Sequence, residues 1–134
     1  MVEGGDRSDF IRLFFEGVEH FNRLEFWEAH ESWEDLWLVA DESNQFLQGL
    51  IQMAAAYHHV RRGTFRGAIR LFDAALRRLE PYPPVYCGVD RENVVAAAQS
   101  HRTRIAESTE CVRDDEFPKL SLIEEWTTTI PSRW

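Results

Sequence analysis

The chain has 134 residues, of which 44% are hydrophobic and 13% aromatic, and its formal net charge at pH 7 is −8. This length and composition predict one ordinary domain, covering residues 1–134, with enough apolar material for one substantial core. The excess of acidic side chains argues against general affinity for nucleic acid, because the phosphate backbone would be repelled.

The charge is unevenly distributed along the chain. Residues 1–45 hold twelve acids against three arginines, a net charge of −9, whereas residues 46–89 hold six arginines against two acids, a net charge of +4. Residues 90–134 carry −3, so the middle of the chain is a basic island. The fourteen arginines are accompanied by a single lysine. An acidic, lysine-poor composition is typical of salt-adapted proteins, and we expect a halophilic source.

Three features predict a cytoplasmic protein. The N-terminal stretch has neither the basic start nor the apolar run of a secretory signal. The longest uncharged stretch, from Asn44 to Val60, contains polar side chains and is shorter than the roughly 20 apolar residues that span a bilayer. Cys87 and Cys111 lack CxxC spacing, so we expect free thiols rather than a disulfide or a zinc site.

The N-terminal part of the chain predicts two amphipathic helices. Ser8 or Asp9 can cap a first helix that ends near Asn22, because its apolar residues recur with the helical period. A second helix is predicted from about Leu24 to Ala40, with apolar residues on one side and acidic residues on the other. Its apolar stripe comprises Phe26, Ala29, Trp33, Leu36, Trp37 and Ala40. We expect Trp33 and Trp37 to be buried.

A third helix is predicted from about Asn44 to Arg62. It carries apolar residues on nearly every side, which is typical of the central helix of a bundle. Gly63 can end this helix, and Thr64 is placed to cap a fourth helix that Pro81 ends.

A fifth helix is predicted from Asp90, which can cap it, to roughly Glu107. From Phe117 onward the apolar periodicity is lost, and residues 117–134 are expected to form an irregular arm. Trp126 and Trp134 are expected to attach this arm to the body of the protein or to a neighbouring subunit. No strand pattern is strong enough to predict a sheet. The predicted fold class is therefore all-α, a single compact bundle of about five helices with an irregular C-terminal arm.

The second helix contains the most specific motif of the chain, FWEAHESWEDLW. His30 lies at the edge of the apolar stripe, surrounded in angle by tryptophans, and Glu34 follows it one helical turn later. Glu31 lies to the side of His30, nearer to the line of Trp27 and Glu34. We expect a polar and aromatic cluster here, and its ligand-binding candidates are Trp27, His30, Glu31, Glu34 and Trp37.

The string HESWE differs by one residue from the HExxH helix of zinc metalloproteases, in which two histidines at i and i+4 bind the metal. Glu34 occupies the position of the second histidine. A usable metal site would need a third ligand, which His59 or His58 on the third helix could supply. We expect a structural role instead, in which a half-buried His30 hydrogen-bonds Glu34, forms one unit with a glutamine or histidine of the third helix, and helps to fix two helices together. We expect no bound metal and predict no cofactor.

Polar residues follow one side of the third helix. Gln48, Gln52 and His59 lie within a narrow angle of one another on an otherwise apolar helix. Two buried amides without partners would cost on the order of 1–3 kcal/mol each, so these residues must reach water, a ligand or the cluster of His30 and Glu34. An antiparallel pairing of the second and third helices would set Gln48 or Gln52 near Glu34.

Three strings of the sequence carry a resemblance to a known family: FNRLEFWEAHESWEDLW, FLQGLIQMAAAYHH and RGTFRGAIRL. Over about residues 10–80 the chain resembles the domain-of-unknown-function family 309, which is found in bacteria and archaea; beyond Pro81 the resemblance fades. It implies an all-helical fold, and it implies no substrate or catalytic residues. The family's signature positions match Glu28, His30, Glu31, Glu34, Trp37, Gln48, Gly49 and Gln52.

The basic island provides a second candidate site, at the start of the fourth helix. Free backbone N–H groups and the helix dipole favour an anion beside Gly63 and Thr64. The arginines that flank this start are Arg61, Arg62, Arg66 and Arg70. The alternative is that these arginines pair with the acidic first and second helices, within the chain or across a dimer.

These features favour a non-catalytic module that binds a small ligand or a partner at the cluster between the second and third helices. Nucleophilic catalysis has little support, because the serines and cysteines lack a neighbouring base at a recognisable spacing. Two alternatives stay open. One is a metal-dependent hydrolase that uses His30, Glu34 and a third-helix histidine, and the other is anion binding at the start of the fourth helix.

Overall fold

The structure is a computed structural model that describes residues 7–40, 44–108 and 112–129. Within these residues, five long helices are followed by a last short one, and a hairpin and a 3₁₀ turn complete the fold. The helices are α1 (Arg7–Asn22), α2 (Phe26–Val39), α3 (Gln45–Arg62), α4 (Phe65–Leu79), α5 (Arg91–Ser108) and α6 (Trp126–Thr129). The strands are β1 (Val85–Tyr86) and β2 (Val89–Asp90), and the 3₁₀ turn is Asp114–Glu116. The predicted all-α fold class is confirmed.

Several helix ends lie where single residues of the sequence predict them. Asn44 Oδ1 accepts a hydrogen bond of 2.9 Å from the backbone N–H of Leu47 and so caps α3. Gly63 follows α3 with a φ of 78°, the left-handed conformation that glycine adopts without strain. Asp90 Oδ1 accepts a hydrogen bond of 3.2 Å from Asn93 N in the first turn of α5.

The second helix begins slightly later than predicted. Leu24 has a φ of 64°, which interrupts helical geometry between α1 and α2. His20 Nδ1 and Glu25 Oε1 lie 2.8 Å apart across this connection. The tight turn therefore uses the residues that periodicity alone assigns to the start of the helix, and α2 begins at Phe26.

The third helix is central, as its apolar composition predicts. It packs against α2 and against α4. Ten of its residues are buried: Phe46, Leu47, Gly49, Leu50, Ile51, Met53, Ala54, Ala56, Tyr57 and Val60. Because burial extends around much of its circumference, α3 orients the other helices and positions the surface between itself and α2.

Trp33 joins α2 to α1. Its indole is fully buried, and its Nε1 donates a hydrogen bond of 3.1 Å to the carbonyl oxygen of Phe14. Gly17 on α1 leaves room for the ring, because a Cβ at that position would collide with the indole. The predicted burial of Trp33 is confirmed, whereas Trp37, which was expected to be buried with it, is only partly buried.

The fifth helix is attached to α3 by a buried polar contact. Tyr57 Oη and His101 Nδ1 share a hydrogen bond of 2.7 Å, and the two rings meet edge to face. Next to them, Arg104 of α5 donates hydrogen bonds of 2.7 to 3.0 Å to both carboxylate oxygens of Glu116. The 3₁₀ turn is thereby fixed to the last turns of α5.

A short antiparallel hairpin connects α4 to α5. It was not predicted from the sequence. Val85 pairs with Asp90 and Tyr86 with Val89. The two residues of the turn, Cys87 and Gly88, both have positive φ, at 50° and 78°. This geometry is typical of a two-residue hairpin turn whose backbone twist matches that of the strands.

The C-terminal segment packs closely on the helices although it is irregular. Asn22 forms two hydrogen bonds with the backbone of Leu120, at 3.1 and 2.7 Å. The indole of Trp126 stacks on Phe15, with ring centroids 5.7 Å apart, and lies 5.8 Å from the ring of Phe14. The predicted attachment of the arm through Trp126 is therefore seen, whereas Trp134 lies outside the described residues.

None of the described helices is long and apolar enough to cross a membrane. Cys87 is buried and is a free thiol, as expected, and burial raises its pKa to about 12. At neutral pH this thiol is therefore protonated and weakly reactive. Cys111 lies outside the described residues.

Candidate functional site: an aromatic ledge between two helices

One indole and two imidazoles meet at the surface between α2 and α3. The rings of Trp27 and His30 are stacked, with centroids 4.8 Å apart and planes inclined by 10°. The ring of His58 lies 5.2 Å from that of Trp27. The beginning of α2 therefore lies beside the end of α3, and the two helices run antiparallel, as expected. We call Trp27, His30 and His58 the aromatic ledge; Trp27 is 46% exposed although it contacts both imidazoles.

His30 and Glu34 are neighbours, as their spacing predicts, but they are not hydrogen-bonded. His30 Nε2 lies 3.9 Å from Glu34 Oε2, which is an ion-pair distance and longer than a hydrogen bond. His30 Nδ1 is buried and has no hydrogen-bond partner among the described residues. The expected hydrogen-bonded unit of His30, Glu34 and a residue of α3 is thus not formed in this geometry.

Trp37, two helical turns later, resembles His30 in having a buried nitrogen without a hydrogen-bond partner among the described residues. It lies seven residues after His30 and therefore on nearly the same line of α2. Its Nε1 is also buried without a partner in the part of the chain that the structure describes. Buried side-chain polar atoms normally have a partner, so two such atoms on one line of one helix distinguish this face from the rest of the molecule.

The outer side of α2 presents a second line of residues beside the ledge. Trp27, Glu31, Glu34 and Leu38 follow one another at intervals of four, three and four residues, which places them on one side of a helix. All four are exposed, Leu38 by 71%. We call these four residues the outer stripe. It consists of two carboxylates between an indole and an aliphatic side chain.

The neighbours of His58 in the same region change the pKa of its imidazole. Partial burial lowers the pKa of its imidazole, and the charges of His59, Arg62 and His30 lower it further, whereas Glu28 acts in the opposite direction. His58 is therefore a neutral ring at pH 7, able to stack on Trp27 without adding positive charge to the ledge.

The amide side chains of α3 face away from the ledge. Gln52 Oε1 accepts a hydrogen bond of 3.2 Å from Arg78 Nη1 of α4. Gln48 lies one turn earlier on the same side of α3. This differs from the expected placement near Glu34. The reason is the close approach of α4 to α3 at Gly49, where a Cβ would collide with Leu79.

His59 also faces α4 rather than α2. Its Nδ1 shares a hydrogen bond of 2.7 Å with Thr64 Oγ1, and its ring packs against Gly67. Thr64 occupies the N-cap position of α4 but makes no side-chain capping bond, because its hydroxyl is engaged by His59. His30, Glu34 and His59 are therefore not brought together. Within the described ranges, no group of three His, Cys, Asp or Glu residues could hold a metal ion.

The arginines flanking the start of α4 differ in their contacts. Arg61 Nη1 donates a hydrogen bond of 3.0 Å to the carbonyl oxygen of Leu24, and its Nη2 lies 3.6 Å from Asp114 Oδ1. Arg62, Arg66 and Arg70 are exposed and form no ion pair within the residues that the structure describes. Arg61 thus forms an ion pair within the chain, but its carboxylate partner Asp114 lies in the 3₁₀ turn and not in the acidic first or second helix.

The fold and the site together define a small helical bundle with an aromatic and acidic surface on its second helix. Residues 14–71 of the chain match the model of the family described as Domain of unknown function (DUF309), which confirms the resemblance carried by the EAHESWEDLW and QGLIQ strings. A comparison with curated proteins found no match. The matched range includes the aromatic ledge and the outer stripe but not α5 or the C-terminal segment. The family's description assigns no activity, so function has to be argued from the site.

Proposed function

We propose that the protein is a non-catalytic binding module and that the outer stripe of α2, backed by the aromatic ledge, binds a basic helical segment of a partner protein. The observation that carries this proposal is the exposed line of Trp27, Glu31, Glu34 and Leu38 on one helix. Its spacing of four, three and four residues is that of a helix surface that packs against a second helix.

The chemistry of the stripe favours a basic occupant. The carboxylates of Glu31 and Glu34 are exposed side by side, and ion pairs with arginine would be partly desolvated once the flanking apolar residues were covered. The face of Trp27 can additionally receive a guanidinium group. Leu38, 71% exposed, would pack against an aliphatic residue one to two turns further along the partner.

A second copy of the same chain fits this surface less well. Two outer stripes packed together would place Glu31 and Glu34 against their own counterparts, and like charges at an interface are destabilising. The whole chain, with its formal charge of −8, adds a general repulsion between copies. A basic partner would instead be attracted by both the stripe and the overall charge.

The metal-dependent hydrolase is supported less well than the binding module, because no three His, Cys, Asp or Glu side chains of the described residues are placed to hold a metal ion, and His59 is bonded to Thr64. Elemental analysis of the purified protein distinguishes the hydrolase from the binding module. A hydrolase that uses His30 and Glu34 requires stoichiometric metal, and this metal should disappear in His30→Gln. The binding module requires no metal and should bind its partner equally well after treatment with a chelator.

The binding proposal is tested with an amphipathic peptide of about 15 residues, long enough to form a few helical turns, that carries two arginines between leucines on one face. Isothermal titration calorimetry should give a Kd on the order of 10 μM at low salt, weakening as salt is raised. Trp27→Ala and the double variant Glu31→Lys/Glu34→Lys should each weaken binding by about tenfold or more.

The double variant Glu19→Lys/Glu107→Lys is the matched control, because it makes the same change in net charge at exposed positions of α1 and α5. It should leave most of the affinity intact. Equal weakening by the two double variants would mean that only overall charge matters, and the proposal would then be wrong. Equal affinity for a peptide with glutamates in place of the arginines would contradict it as well.

A further inference from the structure

A pocket on a different part of the molecule carries two arginines that form no ion pair with any of the described residues. The pocket, of about 460 Å³, lies where the start of α3 meets the end of α4, and it is lined by Gln45, Arg77, Arg78, Pro81 and Tyr82. This volume is within the usual range for small-molecule sites. Four of these five residues lie beyond residue 71, where the family match ends, so the pocket is independent of the motif on α2.

Among the described residues, Arg78 has no carboxylate to supply the counter-charge that a guanidinium in this position normally has. Arg78 is half-buried, its Nη1 donates to the neutral amide oxygen of Gln52, and its Nε is buried without a partner within the described ranges. Arg104 is also partly buried, and there both carboxylate oxygens of Glu116 accept its hydrogen bonds. A partly desolvated guanidinium held by an amide alone retains unsatisfied donors and an unbalanced charge.

Arg77 adds a second charge to the rim of the pocket. It is exposed and, like Arg78, forms no ion pair with any described carboxylate. In a chain with a formal charge of −8, two adjacent arginines that line one pocket and have no acidic partner among the described residues make a local attraction for anions. Two guanidinium groups can bind the oxygens of a phosphate or carboxylate with several hydrogen bonds at once.

Another part of the pocket lining is aromatic and rigid. The ring of Tyr82 contacts Phe46 and Tyr86, with ring centroids 5.3 and 4.7 Å away, and its hydroxyl accepts a hydrogen bond of 3.0 Å from Phe46 N. Pro81 adjoins it and is conformationally fixed. A ligand with a flat apolar body could therefore lie against a preformed wall without ordering it first.

We infer that this pocket binds a small organic oxyanion. Its phosphate or carboxylate group would meet the guanidinium groups of Arg77 and Arg78, and its flat apolar body would lie against Tyr82 and Pro81. The buried Nε of Arg78 would gain a partner through a small reorientation of the guanidinium group towards the anion.

The test is an NMR titration of the full chain with phenyl phosphate, benzoate, inorganic phosphate and neutral benzyl alcohol. Phenyl phosphate or benzoate should shift the amide signals around residues 45 and 77–82 saturably, with a Kd of about 1 mM or tighter, and the tighter of the two identifies the anion. Inorganic phosphate should bind less tightly because it lacks the flat body, and benzyl alcohol should not saturate. Saturation by benzyl alcohol, or inorganic phosphate that binds as tightly as phenyl phosphate, would overturn the inference.

The variants separate a role in binding from a role in folding. Arg77→Gln, at an exposed position, should weaken binding about fivefold, and Arg78→Gln about tenfold or more, given the strength of charged hydrogen bonds. Arg70→Gln, on the same helix but outside the pocket, and Trp27→Ala should leave the affinity unchanged. Wild-type affinity in both pocket variants, or shifts centred on Arg62 and Arg66 instead, would show that the pocket is not the site. A folded Arg77→Gln with lost affinity supports the inference even if Arg78→Gln is unstable.

Discussion

The molecule contains two regions in which an indole and an imidazole lie close to other aromatic rings, and they differ in how their polar atoms are satisfied. In the core, Trp33 Nε1 donates to a backbone carbonyl and His101 Nδ1 shares a hydrogen bond with Tyr57. In the aromatic ledge, Trp27 is 46% exposed and His30 Nδ1 is buried without a partner within the described ranges. The same residue types are therefore buried and hydrogen-bonded in the core, whereas in the ledge they are partly exposed or lack a partner.

Hydrogen bonding explains the difference. A buried polar atom with a partner contributes to stability and fixes one arrangement of the helices, whereas one without a partner costs desolvation free energy. The core indole and imidazole have hydrogen-bond partners and are structural. The aromatic ledge has an exposed indole and a buried nitrogen without a partner among the described residues, and the proposed binding function would use these two features. Three changes test this comparison, in order of decreasing effect.

The largest effect should come from exchanging the two indoles for alanine. Trp33→Ala should lower the free energy of unfolding by about 3–5 kcal/mol, because it removes a fully buried ring and leaves a cavity. Trp27→Ala should lower it by less than about 1 kcal/mol, because nearly half of that side chain is in water. Urea denaturation followed by circular dichroism measures both. Equal losses in the two variants would contradict the division into a core and a ledge.

The helices could be predicted from the sequence because strong local signals mark their ends. Asn44 caps α3, Gly63 ends it and Asp90 caps α5, and each acts through its own backbone or side chain without help from distant residues. The hairpin was missed because its strands have two residues each, too few for alternation to be recognised. Its one local signal was the Cys87–Gly88 pair, since glycine readily adopts the positive φ of a hairpin turn.

The candidate site could be predicted only where it depends on one helix. The neighbourhood of Trp27, His30 and Glu34 follows from spacing within α2, and the structure shows these contacts. The choice of His58 instead of His59 as the neighbour from α3 could not be predicted, because α3 is apolar on nearly every side and does not reveal which side faces α2. That choice depends on the docking of α4, whose Arg78 engages Gln52.

The second prediction concerns acid, which should weaken the core contact. Burial lowers the pKa of His101, as does the nearby charge of Arg104, while Glu116 acts in the opposite direction. The unfolded state, with an ordinary histidine pKa of about 6.5, therefore binds more protons than the native state below that pH. Stability should fall as the pH is lowered below about 6.5, by at most about 1.4 kcal/mol per pH unit for this one group.

Thermal or urea unfolding, measured at a series of pH values from neutral into this acidic range, identifies the groups that cause the loss of stability. His101→Gln should flatten the pH dependence while keeping a side chain that can hydrogen-bond Tyr57. His58 has a pKa lowered in the same direction, so the double variant His58→Gln/His101→Gln should be flatter still. A wild-type slope in the double variant would show that other groups control the acid response.

The smallest effect on stability should come from His30→Leu, which tests the ledge itself. The substitution removes a buried nitrogen that has no partner among the described residues, and an ion-pair contact of 3.9 Å to a carboxylate that is 55% exposed. Both contribute little or nothing favourable to stability. We expect the free energy of unfolding to change by less than about 0.5 kcal/mol, or to rise, since an apolar side chain has no polar atom to desolvate. His101→Leu is the matched change in the core, and it should cost about 1–3 kcal/mol because it leaves the buried hydroxyl of Tyr57 unpaired. A loss in His30→Leu as large as that in His101→Leu would show that the His30 imidazole is a structural element like its counterpart in the core.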